Sequence, residues 1–272
     1  MPNTPTASSG PILRGTQGGF PGPLRRPAVF LDRDGTLVEE VPYLHDPVEL
    51  ALLPGAAGAL AALGAAGYAL VVASNQAGVA RGYYDEAAVA RVHRRLHALL
   101  DAGGARLDAI LYCPHHPDGT VAGYAGACRC RKPGPGMLEA AATRLGLDLP
   151  ASYLIGNHPS DVGAALAAGA TPLFVTTGRA AGRPPPAGAA AFPSLAAAAG
   201  AVLQGTRESQ ARPGRDGAGL AGMPAGRGAT PRPGPAPPAV RTGRPPITVP
   251  AAAALSPYRS RRAPPRSPSG PP

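Results

Sequence analysis

Lysine is almost missing from this chain: of its 26 basic residues, Lys132 alone is a lysine and the other 25 are arginines. A chain so depleted keeps its one lysine where a compact point charge is wanted and a planar guanidinium would not fit. Cysteine is scarce as well, and Cys113, Cys128 and Cys130 are an odd number crowded into one segment. Three thiols cannot pair off, which excludes a disulfide framework and leads us to expect a reducing cytoplasm. No apolar run approaches the ~18 residues needed to span a bilayer. The first 26 residues also lack the continuous apolar stretch of a secretory signal, so a soluble protein without a membrane partner is expected.

Large aliphatic residues are lacking at both ends. From residue 205 the chain is mostly Pro, Gly, Ala and Arg, as in GRPPITVPAAAALSPYRSRRAPPRSPSGPP, a composition that cannot bury enough surface to offset its ordering entropy. We therefore expect one domain over 27–204, a disordered extension over 1–26 and a disordered basic tail over 205–272. The net charge of +10 belongs to these ends: residues 206–272 carry 11 arginines against Glu208 and Asp216, and Arg14, Arg25 and Arg26 lie at the other end. The stretch 27–205 is left with a net charge of −2, which argues against a specific nucleic-acid surface on the domain.

Within that stretch, short β-rich runs alternate with Ala/Leu-rich segments of helical period. This is the pattern of an α/β fold, a Rossmann-like parallel sheet with helices on both faces. The runs AVFL (28–31), YALVVA (68–73), AILY (109–112), SYLI (152–155) and PLFV (172–175) predict strands; helices are expected over 56–66, 85–100, 135–145, 160–168 and 193–203. Ligands of such sheets bind at the carboxyl ends of the strands. The residues with chemistry to offer fall at those ends.

The first strand runs into DRDGT, placing Asp32 and Asp34 one strand period apart before a turn at Gly35. Two such carboxylates suit Mg²⁺ bound together with a substrate phosphate. One could attack phosphorus while the other passes a proton to the leaving oxygen. The second strand ends in Ser74 and Asn75, whose hydroxyl and backbone amides could hold phosphoryl oxygens or cap a helix. Beside Lys132, Arg131 has the forked geometry for a second phosphate. The fourth strand leads through LIGNHPSD to Asp161, a further carboxylate for Mg²⁺ or a helix cap. Cys113 and His115, then twelve residues, then Cys128 and Cys130, make a Cys₃His set of the kind that closes a structural zinc site, with His116 in reserve.

In order along the chain, DRDGT, Ser74, Lys132 and the turn before Asp161 resemble the four motifs of the haloacid dehalogenase superfamily. LDRDGT, SNQAGVARG and CPHHPDG followed by CRCRKPGPGML are similar to its D-glycero-D-manno-heptose 1,7-bisphosphate 7-phosphatase family, over roughly residues 27–180. The resemblance implies Asp32 as nucleophile, Asp34 as general acid and base, and Ser74 with Lys132 as holders of the transferring phosphate. It implies Asn75 and Arg131 near the substrate, a sugar phosphate. It further implies Mg²⁺ at Asp32, Asp34, Asn157 and Asp161, a zinc loop in place of a large cap domain, and a monomer. Histidinol-phosphate phosphatase is the nearest rival, and a decayed binding module is the alternative of another class. In the fourth motif the family has Gly-Asp-Lys, whereas this chain has Gly156, Asn157 and His158. An amide replaces a charged ligand there, and an active but metal-hungry enzyme is expected.

Overall fold

The computed structural model describes residues 25–211 and 247–250. Seven strands form one parallel sheet in the order β6-β5-β4-β1-β2-β3-β7. They are β1 (Arg26–Leu31), β2 (Ala69–Asn75), β3 (Ala109–Cys113), β4 (Leu147–Gly156), β5 (Thr171–Val175), β6 (Ala190–Phe192) and β7 (Ile247–Pro250). The helices are α1 (Ala56–Ala65), α2 (Glu86–Ala102), α3 (Gly136–Leu145), α4 (Pro159–Ala168) and α5 (Leu195–Ala211).

Alternation along each strand divides the interior in two. Val29 and Leu31 of β1 join Leu60 of α1, Leu96 of α2 and Val202 of α5 on one face. Ala28 and Phe30 pack on the other face with Met137 and Leu138 of α3 and Ala165 of α4. Because both faces are covered, the central strands read as continuous apolar runs. All four residues from Ala28 to Leu31 are fully buried.

Several boundaries differ from the sequence expectation, and β4, expected over 152–155, begins at Leu147. Arg26 belongs to the domain: it pairs with Leu147, and its guanidinium reaches Asp108 at 3.1 Å and the Tyr68 carbonyl at 2.6 Å. Helix α5 runs to Ala211 rather than stopping near 203. Ile247–Pro250, expected within a disordered tail, pairs with β3 as a strand. Composition averaged over a window hides a local run of β-branched residues such as Ile247-Thr248-Val249. The three-residue β6 was also not foreseen, since AAF is too short and too Ala-rich to show alternation. The remainder of the expected extension and tail lies outside the described residues.

Candidate active site

Asp32 follows β1 directly, its N–H donating to the Ile155 carbonyl of β4 at 2.9 Å. Its carboxylate is buried, and Lys132 Nζ donates to Oδ1 at 2.6 Å. The same ammonium lies 2.5 Å from Asp161 Oδ1 and donates to the Ala73 carbonyl at 2.7 Å. One cation thus stands between two buried carboxylates, one directly after β1 and the other in the first turn of α4. Burial pushes the Asp32 carboxyl up to about 7 despite Lys132, with Asp161 and Asp34 adding to the rise. Burial also works against the charge on Lys132, but Asp161 and Asp32 outweigh it and raise that pKa.

Lys132 is held from behind as well as in front. The Asn75 carboxamide donates through Nδ2 to the Lys132 carbonyl and accepts from the Lys132 N–H, both at 3.0 Å. Asn75, expected near the substrate, therefore spends its polar atoms on the backbone of Lys132 while its side chain lines the cavity. Asp161, expected as a metal ligand, is committed on both oxygens. Oδ1 pairs with Lys132 and Oδ2 accepts from the His158 N–H at 2.9 Å. With His158 as N-cap this forms a reciprocal capping box at the start of α4.

Asp34 sits at the edge of the cavity. Arg33 Nε donates to its Oδ1 at 3.0 Å and Gln76 Nε2 to its Oδ2 at 3.2 Å. Gln76 also donates to Ser74 Oγ at 2.7 Å, and its Oε1 accepts from Arg33 at 3.1 Å and from the Tyr84 hydroxyl at 3.0 Å. This buried carboxamide joins Asp34 to Ser74. Gln76 falls within the SNQAGVARG motif, but neither its part nor that of Tyr84 is visible in the sequence, because it is set by contacts through space. Gly35 takes φ 73°, and a Cβ there would overlap Asn157 Nδ2. Asn157 Nδ2 donates to the Thr177 carbonyl at 3.2 Å, which leaves the amide oxygen as the atom available to a cation. Asp32, Asp34 and Asn157 offer an all-oxygen donor set, the kind Mg²⁺ prefers.

A cavity of about 300 Å³ opens at Asp34, Asn75, Gln76 and Tyr84. Four arginines, Arg33, Arg81, Arg131 and Arg179, line it together with His116, against only Asp34 and Glu40. Such a lining favours an anionic ligand. Glu40 is engaged at Arg179, whose Nε lies 2.5 Å from its Oε1. Tyr43 also lines the cavity in a left-handed conformation, φ 53°, with Tyr83 edge-on at 4.6 Å.

Behind Arg131, the ligand atoms of Cys113, His115, Cys128 and Cys130 lie within 4.8 Å of one another, a group that could hold a metal ion. Cys130 Sγ is 3.3 Å from Cys113 Sγ, His115 Nδ1 is 3.7 Å from each of these sulfurs, and Cys128 and Cys130 touch. A Cys128–Cys130 bond would leave Cys113 and His115 converging on nothing, whereas a tetrahedral cation uses all four. The reserve residue His116 turns away, toward Arg81 at 3.5 Å. Arg131 donates to the His115 carbonyl at 3.3 Å. The loop therefore delivers three consecutive residues to three tasks: Cys130 to the cluster, Arg131 to the cavity and Lys132 to Asp32.

The HAD-hydrolase-like family model matches residues 129–198. A D-glycero-beta-D-manno-heptose-1,7-bisphosphate 7-phosphatase of Rhodopseudomonas palustris is 46% identical over 145 residues, 53% of this chain and 81% of that protein. The protein of the same name from Pseudomonas aeruginosa is 39% identical over 185 residues, 66% of this chain and all of its own. Among solved structures, the D,D-heptose 1,7-bisphosphate phosphatase of B. bronchiseptica, complexed with magnesium and phosphate, superposes with a TM-score of 0.59. It is 37% identical, covering 66% of this chain and 99% of its own. This chain belongs to the haloacid dehalogenase superfamily and, within it, to the D-glycero-D-manno-heptose 1,7-bisphosphate 7-phosphatase family.

Proposed function

We propose that this chain is a phosphoric monoester hydrolase that removes the 7-phosphate of D-glycero-D-manno-heptose 1,7-bisphosphate through an aspartyl phosphate on Asp32. The observation that carries the reading is the contact of Lys132 Nζ with Asp32 Oδ1 at 2.6 Å beside a cavity lined by four arginines.

Asp32 attacks the phosphorus of the 7-phosphate, and the bond from phosphorus to the sugar oxygen breaks. Asp34, at the cavity edge, gives that oxygen its proton. Ser74 and Lys132 hold the oxygens of the transferring group as charge builds on them. Water then attacks the phosphorus of the aspartyl phosphate, Asp34 takes its proton, and Asp32 is released. Arg131, steadied by the His115 carbonyl, grips the phosphate that stays on the sugar. Mg²⁺, when held by Asp32, Asp34 and the Asn157 amide oxygen, neutralises charge on the phosphate. Asp161 serves better as the counter-ion that fixes Lys132, since both of its oxygens are engaged.

Zinc is the cation that best suits three thiolates and an imidazole, and we assign it to Cys113, His115, Cys128 and Cys130. Among the described residues no helix is long and apolar enough to cross a membrane, and we place the protein in the cytoplasm as a monomer. The test is phosphate release with Mg²⁺ from both anomers of the heptose bisphosphate and from histidinol phosphate. Turnover of a heptose bisphosphate anomer with loss of one phosphate supports the reading. Preference for histidinol phosphate would transfer the chain to the rival substrate.

A further inference from the structure

The edge of the sheet beyond β3 is covered by a strand from the far end of the described chain. β3 reads AILYC and all five of its residues are buried. As the last strand it would present a row of unpaired backbone groups on an apolar strand, a template for pairing with another chain. Ile247–Pro250 occupies that edge instead, in parallel register from Ala109↔Ile247 to Tyr112↔Pro250. A parallel partner needs a crossover of a dozen or more residues. Residues 212–246 separate the end of α5 from β7 and supply that length. The 185-residue match that spans the whole Pseudomonas protein is too short to reach from Arg25 to Pro250. The strand therefore lies outside the match to that protein.

Its sequence suits an outermost position. Ile247-Thr248-Val249 is the only run of three β-branched residues after residue 204, and it stands between Pro245-Pro246 and Pro250. β-branched residues favour the strand. The flanking prolines stop it from lengthening and remove donors from the new edge, which is how natural edge strands avoid further pairing.

We propose that Ile247–Pro250 is a built-in edge cap, donated by the chain's own tail, that keeps β3 from pairing with a second copy. The tether favours the segment from the same chain, since covalent connection through residues 212–246 holds it at an effective concentration on the order of millimolar. The cap also steadies the strand that ends in Cys113, so its effect reaches the root of the metal loop.

The experiment compares the full chain with its Thr248→Pro/Val249→Pro variant. Alternate N–H groups of a strand face one side, so the double change removes whichever of the two faces β3. Hydrogen exchange at Ile110, Leu111 and Tyr112 is read by mass spectrometry, with Phe30 and Val71 as internal controls, and mass in solution by light scattering. We expect exchange in β3 to quicken by at least tenfold in the variant while the controls stay protected. The full chain should weigh 27.1 kDa and the variant should self-associate as concentration rises. Unchanged exchange in β3 would overturn the proposal. So would a full chain that is dimeric and becomes monomeric in the variant, because the strand would then come from a second copy.

Discussion

Lys132 holds two buried carboxylates apart, at 2.6 Å from Asp32 and 2.5 Å from Asp161. Its loss would leave like charges facing each other without water. Lys132→Met should destabilise the protein by about 3–5 kcal/mol and abolish phosphate release; urea unfolding and a phosphate assay measure the two effects. Asp32 makes stability depend on pH. Its carboxyl titrates near 7 in the folded, metal-free protein against 3.8 as its ordinary value. Between those values the unfolded chain has already lost the proton that the folded chain keeps, so stability falls as pH rises from about 4 to 7. Melting temperatures without metal should decline across that window. Added Mg²⁺ should raise them more at pH 8 than at pH 5, because it favours the ionised carboxylate.

Gln76 acts through Asp34 and Ser74. Gln76→Ala should lower kcat by roughly tenfold to a hundredfold, in line with misplacing a catalytic group, and change KM less. It should also distort the pH profile of kcat, which a purely structural role would leave alone. Asn157 separates this chain from the family pattern. Asn157→Asp should lower the Mg²⁺ concentration needed for half-maximal melting protection by about tenfold, as a charged ligand replaces an amide. An unchanged requirement would remove the argument from charge.

At the scale of elements, the loop from β3 to α3 ties the cation cluster to catalysis, because Cys130, Arg131 and Lys132 are adjacent. Cys128→Ser should drop bound zinc well below one ion per chain by elemental analysis. It should also reduce kcat/KM by at least tenfold, through loss of the positions of Arg131 and Lys132. The five main strands were legible in the sequence as short continuous apolar runs, as in the buried 28–31 of β1, and the five helices as the Ala/Leu-rich segments between them. So were the motif residues that follow each strand, since turn chemistry marks Asp32, Asp34 and Asp161. The division of labour was not legible. Asn75 and Asp161 carry types that suit substrate or metal, yet their atoms are engaged with the backbone of Lys132, its ammonium and a helix cap. Gln76 and Arg81 lie in the SNQAGVARG motif, but their part in the site, like that of Tyr84 and Arg179, is set by contacts through space. β7 escaped notice because four residues of strand are lost in a window dominated by Pro, Gly and Arg.

The whole molecule joins a domain of nearly balanced charge to an arginine-rich tail, so the positive field that would draw a bisphosphate must arise locally. It does so beyond the carboxyl ends of β1, β2, β3 and β5, whose following segments bring four arginines to one cavity. The central claim is that Asp32 carries the phosphate. It is tested most directly by mass spectrometry of the full chain quenched in acid during turnover of heptose 1,7-bisphosphate with Mg²⁺. We expect a phosphoryl adduct on the peptide containing Asp32, no adduct and no phosphate release with Asp32→Asn, and a heptose 1-phosphate product. Undiminished phosphate release by Asp32→Asn would contradict the account.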